Sequence, residues 1–531
     1  MTGRPSYDGG KNGYVDVAVS EEQPLPPRRP RPKKMSLIQR WTPTALLLSY
    51  FVFSIAFYTV LDDYSRKVFW FLYLAIAFLV AGTTCLEAYD GLAPLREARN
   101  AVAKAENDGW KFKTPDEELP ILNLIFDMGE QDVAQAFREI IHLLRGVTYP
   151  AHKMVINLLQ QGNDHASVDY IGNDTSNMAR IVSVPAHAAA SISARTAYCL
   201  ALDAPGAATS LTAIFSGDER PHPHAIRRAA ERLIQDKKVD IVQGRTVLIP
   251  QKGFLSTFAS LQQDMFSALL MPGRSVTWSL SYPSNTNVYW RTDALHGAAT
   301  ASGLVSSTGN DLGFTALARK ARTSHDLKVI SYLSPQPGFV AFWHANTRMA
   351  REYAMATTRY TTLAFKGLFQ RHKGENQPDP STKWSLKTRF AILWTLPVMR
   401  LVSHAILQYF CMAWAILFID TPSSTADFAR TIYYPYPISE WLLVGGCICI
   451  LATVGMLYKA RSEFVPLWTF PITLVLYPLL VVFRFGDLLC LLPYLGEGGL
   501  SIVRRHHHQQ QQQQQPQHQQ QQHQQRQHSA S

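Results

Sequence analysis

Acidic side chains that could do chemistry stand beside apolar runs at two places in the chain. Asp218 and Glu219 directly follow the apolar run 211–215, and Asp311 precedes the run 312–321. A carboxylate in such a position can hold a divalent cation or take a proton from a reacting group. An aspartate at the start of a helix is also a common N-cap, so both interpretations apply to Asp218 and Asp311.

The segment that must position these residues has the alternating pattern of an α/β domain and extends over about 120–385. An apolar run at 121–128, a helical period over 131–144 and a second apolar run at 154–159 predict a β-α-β unit. Further strands are predicted at 180–184, 211–215, 240–248 and 329–333. This alternation predicts a mostly parallel sheet covered by helices, in which ligands bind beyond the carboxyl ends of the strands.

Apolar segments precede this domain. Pro43 to Leu61 and Val68 to Leu86 each come close to the roughly 20 apolar residues that cross a membrane as a helix. The region 43–88 is therefore predicted to be a transmembrane hairpin, joined to the domain by a connecting helix and linker at 89–119. Basic residues just before the first span predict a cytosolic N-terminus, and the hairpin then returns the domain to the cytosol. These residues are Arg28, Arg29, Arg31, Lys33, Lys34 and Arg40.

Apolar segments also follow the domain. The region 386–403 predicts an interfacial amphipathic helix, because Lys387, Arg389 and Arg400 interrupt an otherwise apolar pattern. The region 404–498 predicts a C-terminal transmembrane part in which the number of spans and the side of the tail stay open. Its candidate spans are 405–419, 442–458 and 464–483. The chain is thus predicted to be a multi-pass membrane protein of the plasma membrane or an internal membrane.

Composition agrees with a membrane protein that has disordered ends. Hydrophobic residues make up 47% of the 531 residues, yet the mean hydropathy is only −0.07. The Pro- and Arg-rich head at 1–40 and the Gln- and His-rich tail at 499–531 dilute the apolar spans. The net charge of +11 is spread along the chain, so nucleic acid is not an expected partner. Five of the six cysteines lie in apolar segments and Cys199 stands alone, which predicts no disulfide framework.

Five motifs follow one another over roughly residues 115–360. They are the first strand and helix with Glu130 and Tyr149-Pro150; Ser216-Gly217-Asp218-Glu219-Arg220-Pro221-His222-Pro223; Asn287-Val288-Tyr289-Trp290-Arg291-Thr292-Asp293-Ala294-Leu295; Ser307-Thr308-Gly309-Asn310-Asp311-Leu312-Gly313; and Arg348-Met349-Ala350-Arg351-Glu352. Their order and spacing, with the flanking spans, resemble the membrane-embedded branch of glycosyltransferase family 2. That branch includes hyaluronan, chitin and cellulose synthases, ceramide glucosyltransferase and fungal relatives. The resemblance implies a GT-A fold, a Rossmann-like sheet that binds a nucleotide sugar and a divalent metal.

The resemblance also implies roles for single residues. Asp218 would hold Mg2+ or Mn2+, which neutralises the charge of a diphosphate leaving group. Asp311 would be the general base that takes the acceptor's proton in an inverting transfer. Contacts with the donor nucleotide are implied for Gln161, Asp164, Arg195, Arg348 and Arg351, although Asp164 is equally compatible with the start of a turn. The last two are three residues apart and share a helix face, which suits a diphosphate or, alternatively, a solvated basic surface.

Four positions depart from the family's pattern. Gln160-Gln161 stand where two acidic residues usually hold the base, Ser216 replaces the first aspartate of the metal motif, Asn310 replaces a glutamate, and Glu352 replaces a tryptophan. These departures favour a second interpretation, a non-catalytic relative that retains the fold. A transporter is a third interpretation, but few polar residues lie within the predicted spans.

The resemblance and the apolar segments together predict an integral membrane, inverting glycosyltransferase whose domain faces the cytosol. Its donor would be a UDP- or GDP-linked hexose or N-acetylhexosamine. The acceptor would be a polysaccharide, a lipid or a long-chain amphiphilic metabolite, and the lipid bilayer would be a further partner.

Overall fold

The structure of the protein is a computed structural model. The residues it describes are 37–129, 139–140, 142–161, 167–170, 178–184, 195–196, 199, 211–250, 253–284, 286–302, 311–334, 338, 342, 356–357, 360–365, 384–419, 421 and 423–475. The chain divides into two compact units, Met1–Ser49 and Tyr50–Ser531. All contacts given below lie within the second unit.

Nine strands of the described chain form one sheet. They are β1 Leu122–Gly129, β2 Met154–Gln161, β3 Ser167–Tyr170, β4 Met178–Val184, β5 Leu211–Ser216, β6 Arg220–Pro221, β7 Ile241–Leu248, β8 Val288–Arg291 and β9 Thr323–Leu333. Their order across the sheet is β3-β4-β2-β1-β5-β8-β7-β9-β6. The predicted α/β class is confirmed. The sheet is nevertheless mixed rather than mostly parallel, because β8 runs against both β5 and β7, and the edge strands β3 and β6 run against β4 and β9.

The helices of the described chain lie before, between and after these strands. They are α1 Leu37–Val60, α2 Asp63–Asp108, α3 Ala225–Gln235, α4 Phe254–Asp264, α5 Met271–Thr277, α6 Thr292–Ser302, α7 Asp311–Ala318, α8 Leu386–Leu393, α9 Met399–Trp414, α10 Thr425–Ile432 and α11 Ile438–Ala460. A π-helical segment, Met265–Leu270, makes α4 and α5 continuous, and two others follow α8 and α9.

Six strands fall where apolar runs predict them, namely β1, β2, β4, β5, β7 and β9. The sequence does not predict β3, β6 or β8. These strands have four, two and four residues, which is too short for a period-2 pattern to stand out. The predicted helix at 131–144 lies mostly outside the described residues.

The central strands bring their carboxyl ends to one edge of the sheet. Strand β1 pairs in parallel with β2 and β5, so Asp127 lies opposite Leu159 on one side and Ser216 on the other. The turn that follows β5 therefore lies beside the end of β1. This is the edge at which a parallel arrangement favours ligand binding.

Alternate side chains of each strand enter two cores, one on each face of the sheet. From β1, Phe126 joins the first core, which packs against α3. Ile125 joins the second core, which packs against α6 and α7 through residues such as Leu295 and Leu312. The α/β layering thus buries both faces around the end of β1.

Two helices of the described residues, α2 and α11, are long and apolar enough to cross a membrane. This rests on length and composition alone, a test that the core helix of a soluble protein also passes. The apolar part of α2 continues into 87–108 without a break, so that segment is the second half of one helix. The predicted span 405–419 corresponds to α9 and the π-helical segment after it, whereas 464–483 extends beyond the described residues.

A buried ion pair joins α2 to α5, and we call this contact the α2 joint. Arg274 Nε donates to Glu87 Oε2 at 2.9 Å, and the Trp278 indole donates to Glu87 Oε1 at 2.9 Å. The two backbones nearly touch, since a Cβ on Gly273 would lie 1.8 Å from the carbonyl oxygen of Glu87. Glu87 itself is fully buried. The α2 joint therefore has no room for a side chain at Gly273 and no free carboxylate oxygen.

A second buried ion pair joins strand β7 to α4, and its arginine also bonds to the end of α11. Arg245 contacts Asp264 at 2.7 Å and donates to the carbonyl of Ala460 at 3.2 Å. The other Asp264 oxygen accepts from the Ser462 N–H at 2.7 Å, and Arg99 donates to the Ala460 carbonyl at 2.8 Å. These groups satisfy helix-end carbonyls that would otherwise lack donors. The sheet is thus bonded directly to one of the two candidate spans.

Arg389 lies in a different environment from the one its sequence predicts. In the predicted amphipathic helix its charge would face water at a membrane surface. In the structure it is buried, and it donates to the carbonyls of Trp384 at 3.2 Å and Ala364 at 3.3 Å. Its charge therefore serves the packing of α8 onto the domain.

Candidate functional site

The turn after β5 carries the motif Ser216-Gly217-Asp218-Glu219 and is closed by its own hydrogen bonds. The Glu219 N–H donates to the Ser216 carbonyl at 3.0 Å, and Ser216 Oγ donates to Asp218 Oδ1 at 2.8 Å. Asp218 is half-buried. Within the described part of the chain, its second oxygen has no hydrogen-bond partner and its charge has no cationic partner. The turn thus presents one oriented carboxylate oxygen.

Glu219 points into the protein and is only 2% exposed. Its Oε2 accepts the Ser216 N–H at 3.1 Å, and its Oε1 accepts the hydroxyls of Thr246, at 3.0 Å, and Ser331. Burial raises the pKa of the Glu219 carboxyl above its ordinary value, although these hydrogen bonds act in the opposite direction. From its place after an apolar run, Glu219 could also hold a cation, but both of its oxygens are engaged by the protein.

Gly217 lets the turn lie directly on the end of β1. Its N–H donates to the Asp127 carbonyl at 2.8 Å. A Cβ at this position would lie 2.9 Å from the side chain of Met128 and 3.1 Å from its Cα. Only glycine fits here without a shift of β1, so this contact fixes the height of Asp218 above the sheet.

Arg195 and Asp127 form an ion pair at the same edge. Arg195 Nε donates to Asp127 Oδ1 at 2.6 Å, and its Nη2 donates to Oδ2, so the guanidinium is held by two bonds. Each side chain is 11% exposed. Because the Asp127 carbonyl also accepts from Gly217, the pair is linked to the Ser216–Glu219 turn. This two-bond geometry fixes the orientation of the guanidinium.

The donor set around Asp218 is compatible with a hard divalent cation. One carboxylate with a hydroxyl beside it consists of oxygen ligands only, which Mg2+ and Mn2+ prefer. Among the described residues, no group of three His, Cys, Asp or Glu side chains could hold a metal by itself. The residues therefore fit an ion that takes one protein carboxylate and completes its shell with phosphate oxygens and water.

Asp311 is the first residue of α7. The next residue, Leu312, packs in the second core together with Cys199 and Ile125. Cys199 is four residues after Arg195, so α7 begins on the same face of the sheet that carries the Arg195 segment. The structure describes only the backbone of Asp311, and its role as a base stays a prediction.

Of the other residues predicted to contact the nucleotide, the structure describes only the backbone of Gln161. Gln161 is the last residue of β2 and lies opposite Val184 of β4. It therefore stands at the carboxyl end of a strand next to β1, and its contact with the base stays a prediction. Three further predicted residues, Asp164, Arg348 and Arg351, lie outside the described residues, as do Glu130, Asn310 and Glu352.

Two residues of the third motif have structural partners. Arg291 donates from Nε to the Val239 carbonyl at 3.0 Å and also reaches the Leu233 carbonyl near the end of α3. Asn287 is fully buried and donates to the carbonyls of Arg245 at 3.1 Å and Val329 at 3.3 Å. These contacts connect β8 to β7, β9 and α3, which positions the sheet rather than a ligand.

Asp127 is the residue of the site that sequence reasoning does not single out. It is the lone charged residue within the apolar run 121–128. A charged residue within an apolar strand indicates an ion pair, because a buried charge needs a partner. Its partner, Arg195, is 68 positions away and cannot be read from the local pattern.

Comparison with known proteins gives only distant similarities. No family model matches the chain, and no curated protein matches it. Among solved structures, it is similar to the mannosyltransferase PcManGT from Pyrobaculum calidifontis in complex with GDP-Man and Mn2+, with 13% identity, a TM-score of 0.38, and coverage of 73% of this chain and 99% of the other. It is also similar to residues 1–349 of S. aureus TarS, with 9% identity, a TM-score of 0.31, and coverage of 70% and 88%. At these values neither structure assigns a function to this chain.

Proposed function

We propose that the protein is a glycosyltransferase that moves a hexose or N-acetylhexosamine from a UDP- or GDP-linked sugar. The observation that carries this proposal is the Ser216–Glu219 turn, which presents Asp218 at the carboxyl end of β5. Beside it, the Arg195–Asp127 pair fixes a guanidinium at the end of β1. One carboxylate for a cation and one fixed guanidinium at the same edge suit a nucleoside diphosphate.

The donor's phosphates would lie between these two groups. Asp218 would hold Mg2+ or Mn2+, and a divalent ion there supplies charge neutralisation for the departing diphosphate. Arg195 would contact the nucleotide while Asp127 fixes the orientation of its guanidinium. Gln161 and Asp164 would contact the base, and the resemblance assigns Arg348 and Arg351 to the diphosphate.

Asp311 would take the proton of the acceptor hydroxyl while that oxygen attacks the anomeric carbon. Such a base must lie within hydrogen-bond reach of the hydroxyl. The start of α7 on the face that carries the Arg195 segment supports this role. Attack from the side opposite the diphosphate inverts the configuration at the anomeric carbon.

The acceptor is proposed to be a polysaccharide, a lipid or a long-chain amphiphilic metabolite at the bilayer. The apolar lengths of α2 and α11 support a multi-pass protein. The basic residues before the first predicted span favour a cytosolic domain. Helix α2 is bonded to the domain through the buried Glu87–Arg274 ion pair, and α11 through the hydrogen bond from Arg245 to the Ala460 carbonyl. The active edge would then be held at a constant position relative to the membrane surface.

A non-catalytic relative with the same fold is the second candidate. The observation that favours it is the single accessible carboxylate of the turn, since Ser216 stands where a second aspartate is expected. In that case Asp218 would be only part of a closed turn.

Donor turnover distinguishes the two candidates. The full-length protein is purified in detergent and assayed with UDP-glucose, UDP-N-acetylglucosamine and GDP-mannose, with and without Mn2+ and a membrane lipid extract. We expect Mn2+-dependent release of one nucleotide, and loss of this release in Asp311→Asn with donor binding nearly intact. Release at the wild-type rate in Asp311→Asn would exclude Asp311 as the base. No release from any donor under any of these conditions would support the non-catalytic relative.

A further inference from the structure

Glu219 is adjacent to Asp218 in sequence, but the two carboxylates lie in opposite environments. Asp218 is half-buried at the surface of the turn, whereas Glu219 is enclosed by β5, β7 and β9. A metal ligand needs an accessible oxygen lone pair. Both oxygens of Glu219 already accept hydrogen bonds from the protein, so its place in the structure excludes it as a direct ligand.

The hydrogen bonds of Glu219 converge on Ser216. Glu219 Oε2 accepts the Ser216 N–H at 3.1 Å, while the Glu219 N–H donates to the Ser216 carbonyl at 3.0 Å. The backbone of Ser216 is therefore held from both sides. Its hydroxyl then donates to Asp218 Oδ1 at 2.8 Å, which fixes the rotation of the Asp218 carboxylate. Glu219 is thus linked to Asp218 by direct hydrogen bonds, first to the backbone of Ser216 and then from the Ser216 hydroxyl to Asp218.

The sheet does not need Glu219 to hold its strands together. Thr246 of β7 and Ser331 of β9 are already partners in the parallel β7–β9 ladder. Their hydroxyls add a contact to the turn, which the ladder cannot supply. Burying a carboxylate is costly unless donors compensate for the lost water, and here three donors do so.

We infer that Glu219 is a positioning residue that acts through Ser216 to orient Asp218 toward a divalent cation. This inference rests on the proposed function, because it takes Asp218 as the metal ligand. It also gives Ser216 a role: its neutral hydroxyl orients Asp218, the accessible carboxylate of the motif. Residues that orient a metal ligand without touching the metal commonly change affinity by about 10- to 100-fold when altered.

Manganese affinity in a double-mutant cycle tests the inference. Binding of Mn2+ to the full-length protein is measured by electron paramagnetic resonance in the presence of UDP or GDP. The proteins compared are wild type, Glu219→Gln, Asp218→Asn and the double variant. Glutamine keeps one oxygen for Thr246 and Ser331 but turns an amide N–H toward the N–H of Ser216. We expect Glu219→Gln to weaken Mn2+ binding about tenfold, and to change nothing further in the Asp218→Asn background.

Two controls separate positioning from general stability. Glu87→Gln alters an equally buried carboxylate in the α2 joint, and we expect it to lower the unfolding temperature without changing the Kd for Mn2+. Thr246→Val should weaken Mn2+ binding and Thr246→Ser should restore it, because serine keeps the donor. If Glu219→Gln does not fold in detergent, the comparison of Thr246→Val with Thr246→Ser tests the same positioning role.

Three results would overturn the inference. If Asp218→Asn loses Mn2+ while Glu219→Gln binds as wild type, Glu219 does not position Asp218, and the proposed function stands. If Glu219→Gln weakens binding equally in both backgrounds, it acts without Asp218. If Asp218→Asn binds Mn2+ as wild type does, the metal site of the proposed function fails, and the positioning role fails with it.

Discussion

The α2 joint and the Ser216–Glu219 turn both contain carboxylates, but only the turn leaves one available. In the α2 joint, Glu87 accepts from Arg274 and Trp278, so its charge and both oxygens are used inside the protein. In the turn, Asp218 has one oxygen held by Ser216, and no described cation neutralises it. The difference separates a carboxylate that holds elements together from one that can accept a ligand.

The Arg195–Asp127 pair lies between these two cases. It is an ion pair like that of the α2 joint, yet each side chain retains 11% exposure at the carboxyl edge of the sheet. Its incomplete burial and its place at the end of β1 therefore distinguish this pair from the α2 joint.

Breaking the α2 joint should have the largest effect. Glu87→Ala leaves Arg274 buried without its partner, which typically destabilises a protein by about 3–5 kcal/mol. We expect a correspondingly lower free energy of unfolding, measured with chemical denaturant in detergent. The double variant Glu87→Met/Arg274→Leu is the control, since replacing both charges by apolar side chains is often close to neutral. A single variant as stable as wild type would show that the α2 joint does not hold the domain to α2.

Adding a carboxylate to the turn should increase its affinity for Mn2+. In Ser216→Asp, a second unpaired carboxylate would stand beside Asp218, and more ligand charge raises cation affinity. We expect the Kd for Mn2+ to fall about tenfold, which corresponds to about 1.4 kcal/mol. Ser216→Asn, with the same shape and no charge, is the matched control and should bind Mn2+ no better than wild type. Equal affinities in the two variants would place the metal elsewhere.

A smaller effect is expected from two histidines that follow the turn. His222 and His224 pack at 5.4 Å between ring centroids, beside Trp110. Burial lowers the pKa of both below the ordinary 6.5, and the neighbouring His222 lowers that of His224 further. The charged groups nearby are Arg227, whose guanidinium lies 5.2 Å from the Phe112 ring, and its partner Asp116.

The sign of the pH effect follows from these shifts. As the pH falls below about 6.5, the unfolded chain binds protons at both histidines before the folded protein does, so the free energy of unfolding decreases. We expect a lower unfolding temperature at pH 5.5 than at pH 7.5. The variant His222→Gln/His224→Gln should lose part of this difference. An unchanged pH dependence would show that neither histidine resists protonation in the folded state.

Much of the fold could be predicted from sequence, because long apolar runs mark buried strands wherever they lie. The same reasoning found Asp218, since a carboxylate directly after such a run stands at the edge of the sheet. It could not find the direction of β8, which depends on pairing with β5 and β7 rather than on its own four residues.

The roles of Asp127 and Glu219 were also beyond sequence reasoning. Asp127 is fixed by Arg195, 68 positions away, and Glu219 by Thr246 and Ser331, 27 and 112 positions away. The pairing register of the strands and the reversals of the chain between them bring these partners together. A local pattern records neither of them, so the buried Glu219 and the half-buried Asp218 look alike in the motif.

The most direct test of the account compares Asp218→Asn with Glu87→Gln in one preparation, measuring both Mn2+-dependent donor turnover and the unfolding temperature. We predict that Asp218→Asn loses turnover while unfolding at the wild-type temperature, and that Glu87→Gln unfolds earlier while keeping its turnover per folded molecule. Wild-type turnover in Asp218→Asn would contradict the assignment of the turn as the site of transfer.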